Sequence, residues 1–278
     1  MTAPREPAAP RPALPPSPAM RAKLTRSPLL IALDIDGTIA PIAATPHAAV
    51  VPHGTREVIE VLTTRDSVHV AFVTGRGAED GRLLSNVPNA WVIGNHGIEV
   101  IDPTGHVHVD ARAAAYASAV AHAGATLASR LAGVSGVIVE DKRWTLSIHY
   151  RQVARDAVPL VATVVRDVAV ATGLRVTQGK ELLELRSPVE INKGTAVTTL
   201  ASTIGITSKR APRGAVLYAG DDYTDEDAFA SLRAQFREPV TVHVGPPASA
   251  GGMRTSAEYI VADTDEMKRF LEWLAGVR

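Results

Sequence analysis

Cysteine is absent from this 278-residue chain, which excludes disulfide bonds, thiolate metal sites and thiol-based catalysis. An excess of either charge is also absent, since 29 Lys and Arg residues balance 29 Asp and Glu residues. No bulk charge therefore points to nucleic acid or to an acidic membrane surface as a partner. The chain has no apolar run long enough for a membrane-spanning helix, although 46% hydrophobic residues suffice for a buried core. We expect a soluble, cytoplasmic protein.

The first 27 residues contain few large apolar side chains. Pro and Ala dominate this stretch, and Arg5, Arg11 and Arg21 are scattered through it. Because it has no continuous apolar core, no signal peptide is expected. Such a composition cannot bury enough apolar surface to offset chain entropy, so it predicts a disordered or extended tail over residues 1–27.

The most informative stretch that is present covers residues 29–38. Leu29–Leu33 is a continuous apolar run, typical of a parallel strand that is buried on both faces. Asp34 and Asp36 follow, and in strand geometry their carboxylates would point the same way, roughly 7 Å apart. Their repulsion would cost ~2 kcal/mol at an effective dielectric of about 20, unless a cation or a shared proton relieves it. The pattern predicts a metal-assisted site at the carboxyl end of a central strand; a solvated loop with two capping aspartates is the alternative.

Strands and helices alternate in two stretches on either side of a different middle block. Residues 28–108 and 188–278 show the βα alternation that predicts an α/β fold, with a doubly wound, Rossmann-like parallel sheet as the core. Residues 109–187 follow an αββαββ order, which predicts an inserted α+β cap domain with helices on one face of its sheet. The other face is polar, so it is either solvent-exposed or a lid over the core site.

Four short elements at predicted strand or helix ends carry the chemistry of the core. They are Asp34-x-Asp36-Gly37-Thr38, Thr74-Gly75-Arg76, Lys193-Gly194 and Gly220-Asp221-Asp222. Each is weak alone, because a Lys-Gly is usually a helix start and a Thr-Gly-Arg is usually a turn. Together they offer an oxygen nucleophile, a hydroxyl with backbone donors, a fixed cation and carboxylates for Mg²⁺, which phosphoryl transfer requires.

In this order the four elements resemble motifs one to four of the haloacid dehalogenase-like phosphatases. The chain is similar, more narrowly, to the trehalose-6-phosphate phosphatases. The segments that carry this narrower resemblance are Leu33–Ile42, Gly94–Glu99 and Gly220–Phe229 in the core, and Glu140–Lys142, His149–Arg151, Gly179–Lys180 and Leu183–Arg186 in the cap. The cap matches are the more specific, because cap residues contact the substrate whereas the core motifs contact only phosphate.

The resemblance implies four catalytic residues. Asp34 would attack phosphorus and form an aspartyl-phosphate. Asp36 would protonate the leaving sugar oxygen and then activate the hydrolytic water. Thr74 and Lys193 would hold phosphate oxygens, and Lys193 would also offset the charge of Asp34.

The resemblance further implies Mg²⁺ as the cofactor. The Asp34 carboxylate, the Asp36 carbonyl and the Asp221 carboxylate would be its ligands. Asp222 and Asp225 are nearby carboxylates that could orient the metal or its waters.

Substrate-binding residues are implied in both domains. They are Gly37, Arg76, Asn95 and His96 in the core, and Glu140, Lys142, Arg151, Lys180 and Glu184 in the cap. The expected function is hydrolysis of trehalose 6-phosphate to trehalose and phosphate. The alternatives are a related cap-bearing phosphatase for another sugar phosphate and a catalytically silent sugar-phosphate sensor, against which the intact Asp34 and Asp36 argue. The residues indicate no oligomeric state, and a monomer is compatible with them.

Overall fold

The structure is a computed structural model, and it describes residues 9–179, 181–207 and 213–278. The chain divides into two compact units. The larger comprises the residues up to Val107 together with Asn192–Arg278, and the smaller comprises His108–Ile191.

The elements of the chain up to the smaller unit are β1 (Arg11–Pro12), α1 (Pro18–Leu24), β2 (Leu29–Leu33), α2 (His53–Thr63), β3 (Val68–Val73), α3 (Ala78–Ser85), β4 (Trp91–Gly94), β5 (Glu99–Ile101) and β6 (Val107–Val109). Those that follow, up to Ile191, are α4 (Ala111–Ala114), α5 (Ala117–Arg130), β7 (Ile138–Asp141), β8 (Thr145–His149), α6 (Val158–Thr172), β9 (Arg175–Gly179) and β10 (Leu182–Arg186). The last stretch contains α7 (Lys193–Thr203), β11 (Ala215–Gly220), α8 (Tyr223–Gln235), β12 (Val240–Val244), β13 (Tyr259–Val261) and α9 (Thr264–Val277). Within the described residues, no helix has both the length and the apolar content needed to span a bilayer.

The main sheet has the strand order β1-β13-β12-β11-β2-β3-β4-β5-β6. Its pairs are parallel from β1 through β4, and β5 runs antiparallel to β4. Because neighbouring parallel strands end at the same edge, the segments that follow β11, β2 and β3 meet there.

The central strand β2 is buried on both faces, as its apolar run predicts. Leu29, Ile31 and Leu33 pack into one hydrophobic cluster together with α2 and α9. Leu30 and Ala32 pack into a second cluster together with α7 and α8. Helices therefore cover both faces of the sheet, which confirms the predicted doubly wound α/β core.

The prediction of a disordered or extended tail over residues 1–27 is wrong for residues 9–27, which form part of the fold. Arg11 and Pro12 add a parallel strand beside β13, and α1 buries Met20 and Leu24 completely in the first cluster. The prediction failed because it weighed average composition, whereas a few well-spaced apolar side chains suffice when a sheet edge offers backbone partners. Residues 1–8 lie outside the described residues.

The smaller unit is an antiparallel sheet of order β7-β8-β10-β9 with helices packed on one face. Leu146, Ile148 and Leu185 point to that face and pack into a cluster that includes residues of α5 and α6. Neighbouring residues of the same strands alternate to the opposite face, which is polar. The αββαββ order predicted for this block is present, except that its first helix is divided into α4 and α5.

Candidate active site

Three adjacent parallel strands bring predicted catalytic and metal-binding residues to one edge of the main sheet. Asp34 follows β2, Thr74 follows β3, and Asp221 follows β11. Lys193 is the first residue of α7, whose start is set by a reciprocal capping box. Residues far apart in the chain are thus positioned by strand ends and by a helix terminus.

Lys193 lies at the centre of a buried charge cluster. Its Nζ donates hydrogen bonds to Asp34 Oδ1 and to Asp225 Oδ1, each at 2.8 Å. The three residues are 3%, 5% and 0% exposed, respectively. Lys193 therefore joins one oxygen of the predicted nucleophile to a carboxylate from α8.

Asp225 uses both of its oxygens within the protein. Oδ1 also accepts the Tyr218 hydroxyl at 2.7 Å, and Oδ2 accepts the backbone N–H groups of Asp221 and Asp222, each at 3.0 Å. Oxygens of Asp34, Asp221 and Asp225 lie within 4.8 Å of one another, as in metal sites. Because four donors already fill the carboxylate of Asp225, we assign it to positioning rather than to metal ligation.

The cluster contains more negative than positive charge, and the pKa values reflect this. Burial raises the pKa of Asp34 well above its ordinary value, although Lys193 opposes the rise. Burial, followed by repulsion from Asp225, raises the pKa of Asp221 to about 7. Burial lowers the pKa of Lys193, but Asp225 and Asp34 together outweigh it and raise this pKa. One ammonium group does not neutralise three carboxylates.

A divalent cation fits this imbalance. Asp221 Oδ1 is buried and accepts no hydrogen bond. Carboxylate oxygens are the ligands that Mg²⁺ prefers in proteins, and a cation would supply the missing positive charge. Asp34 and Asp221 offer suitable oxygens, whereas ligation by the Asp36 carbonyl stays a prediction.

Gly37 leaves the space that the Asp221 carboxylate occupies. Its φ is +86°, in the left-handed region that favours glycine, and a Cβ at this position would lie 2.1 Å from Asp221 Oδ2. A side chain at residue 37 would therefore displace a carboxylate of the candidate metal site.

Arg76 holds Asp36 through two hydrogen bonds. Nε donates to Asp36 Oδ2 at 2.7 Å, and Nη2 donates to Asp36 Oδ1 at 2.8 Å. The guanidinium also donates to Asp80 and to the carbonyl of Pro46, each at 2.9 Å. The loop is completed by Thr74, which is buried and whose Oγ1 accepts the Arg76 backbone N–H at 3.1 Å. These bonds make Arg76 an orienting partner of Asp36, and its direct contact with substrate stays a prediction.

The turn after β4 packs against the loop that contains Thr74. Asn95 and His96 have φ values of 47° and 57°, a conformation uncommon outside glycine. Glu99 Oε1 anchors the turn, because it accepts the Asn95 side-chain amide and the Ala78 backbone N–H, each at 2.7 Å. The His96 ring lies over Gly75, where a Cβ would be 2.7 Å from the ring. Asn95 and His96 thus lie beside the site loop, within the larger unit.

Three of the predicted residues of the smaller unit, Glu140, Lys142 and Glu184, lie on or beside its polar sheet face. Strand register places Glu140, Ser147 and Glu184 side by side across β7, β8 and β10. Glu140 contacts His149 at 2.8 Å, and Lys142 pairs with Glu184 at 3.8 Å. The Lys142–Glu184 pair is the more buried of the two, and the Glu140–His149 contact is the shorter.

The remaining predicted residues of the smaller unit are Arg151 and Lys180. Arg151 Nε donates to Glu181 at 2.8 Å, and both side chains are exposed. Lys180 lies outside the described residues. Glu181 was not predicted as a partner, because an ion pair between two turns that are far apart in the chain leaves no local pattern in a sequence.

Sequence reasoning missed Tyr218. It lies within the apolar run of β11, where a tyrosine looks like any other core residue. The available signal was chemical, since a phenol hydroxyl in a strand buried on both faces requires a hydrogen-bond partner.

The fold and the acidic cluster together define a doubly wound α/β protein with a candidate metal-assisted phosphate site. The structure superposes on the C-terminal domain of the C. albicans trehalose-6-phosphate phosphatase with a TM-score of 0.77 and 23% identity. The match covers 97% of this chain and 99% of that domain and establishes a common fold. The sequence model described as trehalose-phosphatase matches residues 32–265, and the chain belongs to that family.

Relatives with curated sequences agree with this assignment. The trehalose-phosphate phosphatase of Mycobacterium marinum is 37% identical over 199 residues, which cover 72% of this chain and 50% of the relative. A protein of Mycobacterium tuberculosis named an uncharacterized glycosyl hydrolase is 37% identical over 201 residues, which cover 72% of this chain and 15% of the relative. The chain thus spans half or less of the length of these relatives.

Proposed function

We propose that this chain is a Mg²⁺-dependent phosphatase that hydrolyses trehalose 6-phosphate to trehalose and phosphate. The observation that carries the proposal is the buried Asp34–Lys193 pair beside an Asp221 oxygen without a hydrogen-bond partner. Membership of the trehalose-phosphatase family supports the sugar phosphate as substrate.

Asp34 is the proposed nucleophile. Lys193 occupies its Oδ1, so Oδ2 would form the bond to phosphorus as the bond from phosphorus to the sugar oxygen breaks. The product of this step would be an aspartyl-phosphate. Lys193 and Thr74 would bind the phosphate oxygens, and burial of both side chains strengthens these contacts because little water competes.

Asp36 is the proposed proton carrier. It would give a proton to the departing sugar oxygen and later take one from the water that attacks the aspartyl-phosphate, which regenerates Asp34. Arg76 donates one hydrogen bond to each Asp36 oxygen, which leaves each oxygen a second lone pair that can carry the transferred proton. Arg76 would orient Asp36 between the two transfers.

Mg²⁺ held by Asp34 and Asp221 would supply positive charge that offsets the phosphate and the clustered carboxylates. Asp225 would keep Asp221 in place through the backbone N–H of that residue.

The polar sheet face of the smaller unit is the proposed sugar-recognition surface. Trehalose is uncharged and rich in hydroxyl groups, which pair with carboxylate acceptors and ammonium donors. Glu140, Lys142 and Glu184 offer both kinds of group on or beside this face. Arg151 and Lys180 are proposed as further contacts, and Asn95 and His96 as contacts from the larger unit.

The proposal predicts phosphate release from trehalose 6-phosphate that depends on Mg²⁺. Purified chain would be assayed for inorganic phosphate against trehalose 6-phosphate, sucrose 6-phosphate, glucose 6-phosphate and fructose 6-phosphate, with MgCl₂ or with EDTA. We expect the highest kcat/KM for trehalose 6-phosphate and loss of turnover in EDTA. A higher kcat/KM for another sugar phosphate would favour a related phosphatase, and binding without turnover of any substrate would favour a sensor.

Gly37→Ala is expected to abolish most of this activity. The added Cβ would occupy the position of the Asp221 carboxylate, so the thermal stabilisation of the protein by MgCl₂ should also disappear. Phosphate release and the melting temperature with and without MgCl₂ would be measured.

Gly105→Ala is the matched control for backbone strain. Gly105 also has a φ of +86°, but a Cβ there would meet no atom within 4 Å. Both variants carry the cost of a left-handed alanine, about 1–2 kcal/mol, and only Gly37→Ala should lose the metal response. Equal activity in the two variants would contradict the assigned role of Gly37.

A further inference from the structure

The buried hydroxyl of Tyr218 has no part in the chemistry described above, yet it contacts the same oxygen that Lys193 contacts. Tyr218 lies in β11 and is fully buried, and its hydroxyl donates to Asp225 Oδ1 at 2.7 Å. Lys193 Nζ donates to that same Oδ1 at 2.8 Å. Two donors therefore share one acceptor, and one of them is the proposed phosphate-binding cation.

Lys193 and Asp225 also contact the proposed nucleophile and the proposed metal ligand, so the shared acceptor affects both of these residues. Lys193 also donates to Asp34 Oδ1, so its ammonium is divided between two carboxylates. Asp225 Oδ2 accepts the backbone N–H of Asp221, which ties the same carboxylate to the proposed metal ligand. A change in how Oδ1 is satisfied would alter the position of Lys193 relative to Asp34.

We infer that Tyr218 is a positioning residue, whose hydroxyl acts through Asp225 to keep Lys193 on Asp34. The inference rests on the proposed function, because its assay measures that activity. It adds Tyr218, which has no role in the mechanism proposed above. While the Tyr218 hydroxyl donates one hydrogen bond to Asp225 Oδ1, this oxygen attracts the Lys193 ammonium less strongly. Without the hydroxyl, Lys193 is the main remaining donor to Oδ1 among the described residues and is drawn towards Asp225, away from Asp34 and the incoming phosphate.

Tyr218→Phe isolates the hydroxyl. The ring packs edge-to-face against Phe229, with centroids 5.7 Å apart, and phenylalanine preserves this contact. We expect kcat for trehalose 6-phosphate to fall about 10-fold or more, in line with loss of a hydrogen bond to a charged group. KM should change little, because sugar contacts that Tyr218 does not make supply most of the substrate binding.

Tyr259→Phe is the matched control. Tyr259 is also buried in a parallel strand, and its hydroxyl contacts Arg11 at 3.2 Å, outside the charge cluster. Its removal should leave kcat within about twofold of the parent, even where the melting temperature falls as much as in Tyr218→Phe.

A second measurement, the affinity for inorganic phosphate, tests the positioning role of Tyr218 independently of which sugar phosphate is the substrate. The affinity for inorganic phosphate, measured by calorimetry in MgCl₂, should fall in Tyr218→Phe and not in Tyr259→Phe. Failure of the parent chain to hydrolyse trehalose 6-phosphate would overturn the proposed function and leave this comparison intact. Equal kcat and equal phosphate affinity in the two variants, or a rise in KM alone, would overturn the positioning role of Tyr218.

Discussion

Asp34→Asn is expected to abolish phosphate release while making the metal-free protein more stable. The amide cannot form the aspartyl-phosphate, and removal of a covalent nucleophile typically lowers turnover on the order of 10⁴-fold or more. Lys193 keeps its second partner, Asp225, so the variant retains a paired buried cation. Loss of activity should therefore come without loss of fold.

The expected gain in stability follows from the sign of the Asp34 pKa shift. Burial raises this pKa above its value in the unfolded chain, so the folded state binds the proton more tightly. The stability associated with Asp34 is thus greatest at acidic pH, below its ordinary pKa, and is lost as the pH rises through the raised value. At about pH 8, well above the ordinary pKa of an aspartate, replacing this group by a neutral amide removes that loss and should raise the melting temperature measured in EDTA.

Asp110→Asn is the matched control, because the pKa of Asp110 is lowered in the folded protein whereas that of Asp34 is raised. A hydrogen bond from Arg112 lowers the pKa of Asp110, and the residue caps α4 on the surface. Its replacement should leave activity unchanged and should not raise the melting temperature. Asp34→Asn with parental turnover would contradict the nucleophile assignment, and a fall in its melting temperature would contradict the electrostatic account.

The position of the site could be predicted from the sequence because the signal is local. A strand buried on both faces must be apolar throughout, so Leu29–Leu33 indicates a central strand, and the carboxylates after it must lie at its carboxyl end. Topology then brings Thr74 and Asp221 to the same edge. The polar face of the smaller unit was equally visible, since alternation along β8 separates Ser147 from Leu146.

The different partners of Asp34 and Asp36 could not be predicted from their spacing in the sequence. Regular strand geometry predicts two carboxylates pointing the same way, but β2 ends at Leu33 and the following residues turn. Asp34 consequently pairs with Lys193, and Asp36 pairs with Arg76. The choice of partner depends on side chains from distant segments, which no pattern in residues 29–38 encodes.

The contacts of Asp225 likewise could not be predicted from its local sequence. Its place in α8 marks it as a capping-box residue, which is a local role. That its carboxylate also accepts Lys193 and Tyr218 depends on how α7 and β11 pack against α8. Sequence reasoning recognised an acidic residue near the proposed metal site, but not that its carboxylate is an acceptor shared by Lys193 and Tyr218 and bonded to the backbone of the proposed metal ligand Asp221.

Lys193→Met is expected to lower both activity and stability, in contrast to Asp34→Asn. The variant keeps an unbranched side chain that is one heavy atom shorter, and it leaves Asp34 and Asp225 buried without their common cation. Removing one partner of a buried ion pair typically costs about 3–5 kcal/mol of unfolding free energy. Turnover should fall about 10²- to 10³-fold, because a fixed positive charge at the phosphate is lost.

The pH dependence of the Lys193→Met defect tests its cause. Lys193 lowers the pKa of Asp34, so its removal should raise that pKa further and favour the neutral acid. The loss of unfolding free energy, measured by urea denaturation in EDTA, should then be larger at about pH 8 than at about pH 5. Lys268→Met is the matched control, since Lys268 forms an exposed pair with Glu272 at 3.2 Å, worth less than about 1 kcal/mol. A Lys193→Met defect that is the same at both pH values would show that lost packing, rather than uncompensated carboxylates, destabilises the variant.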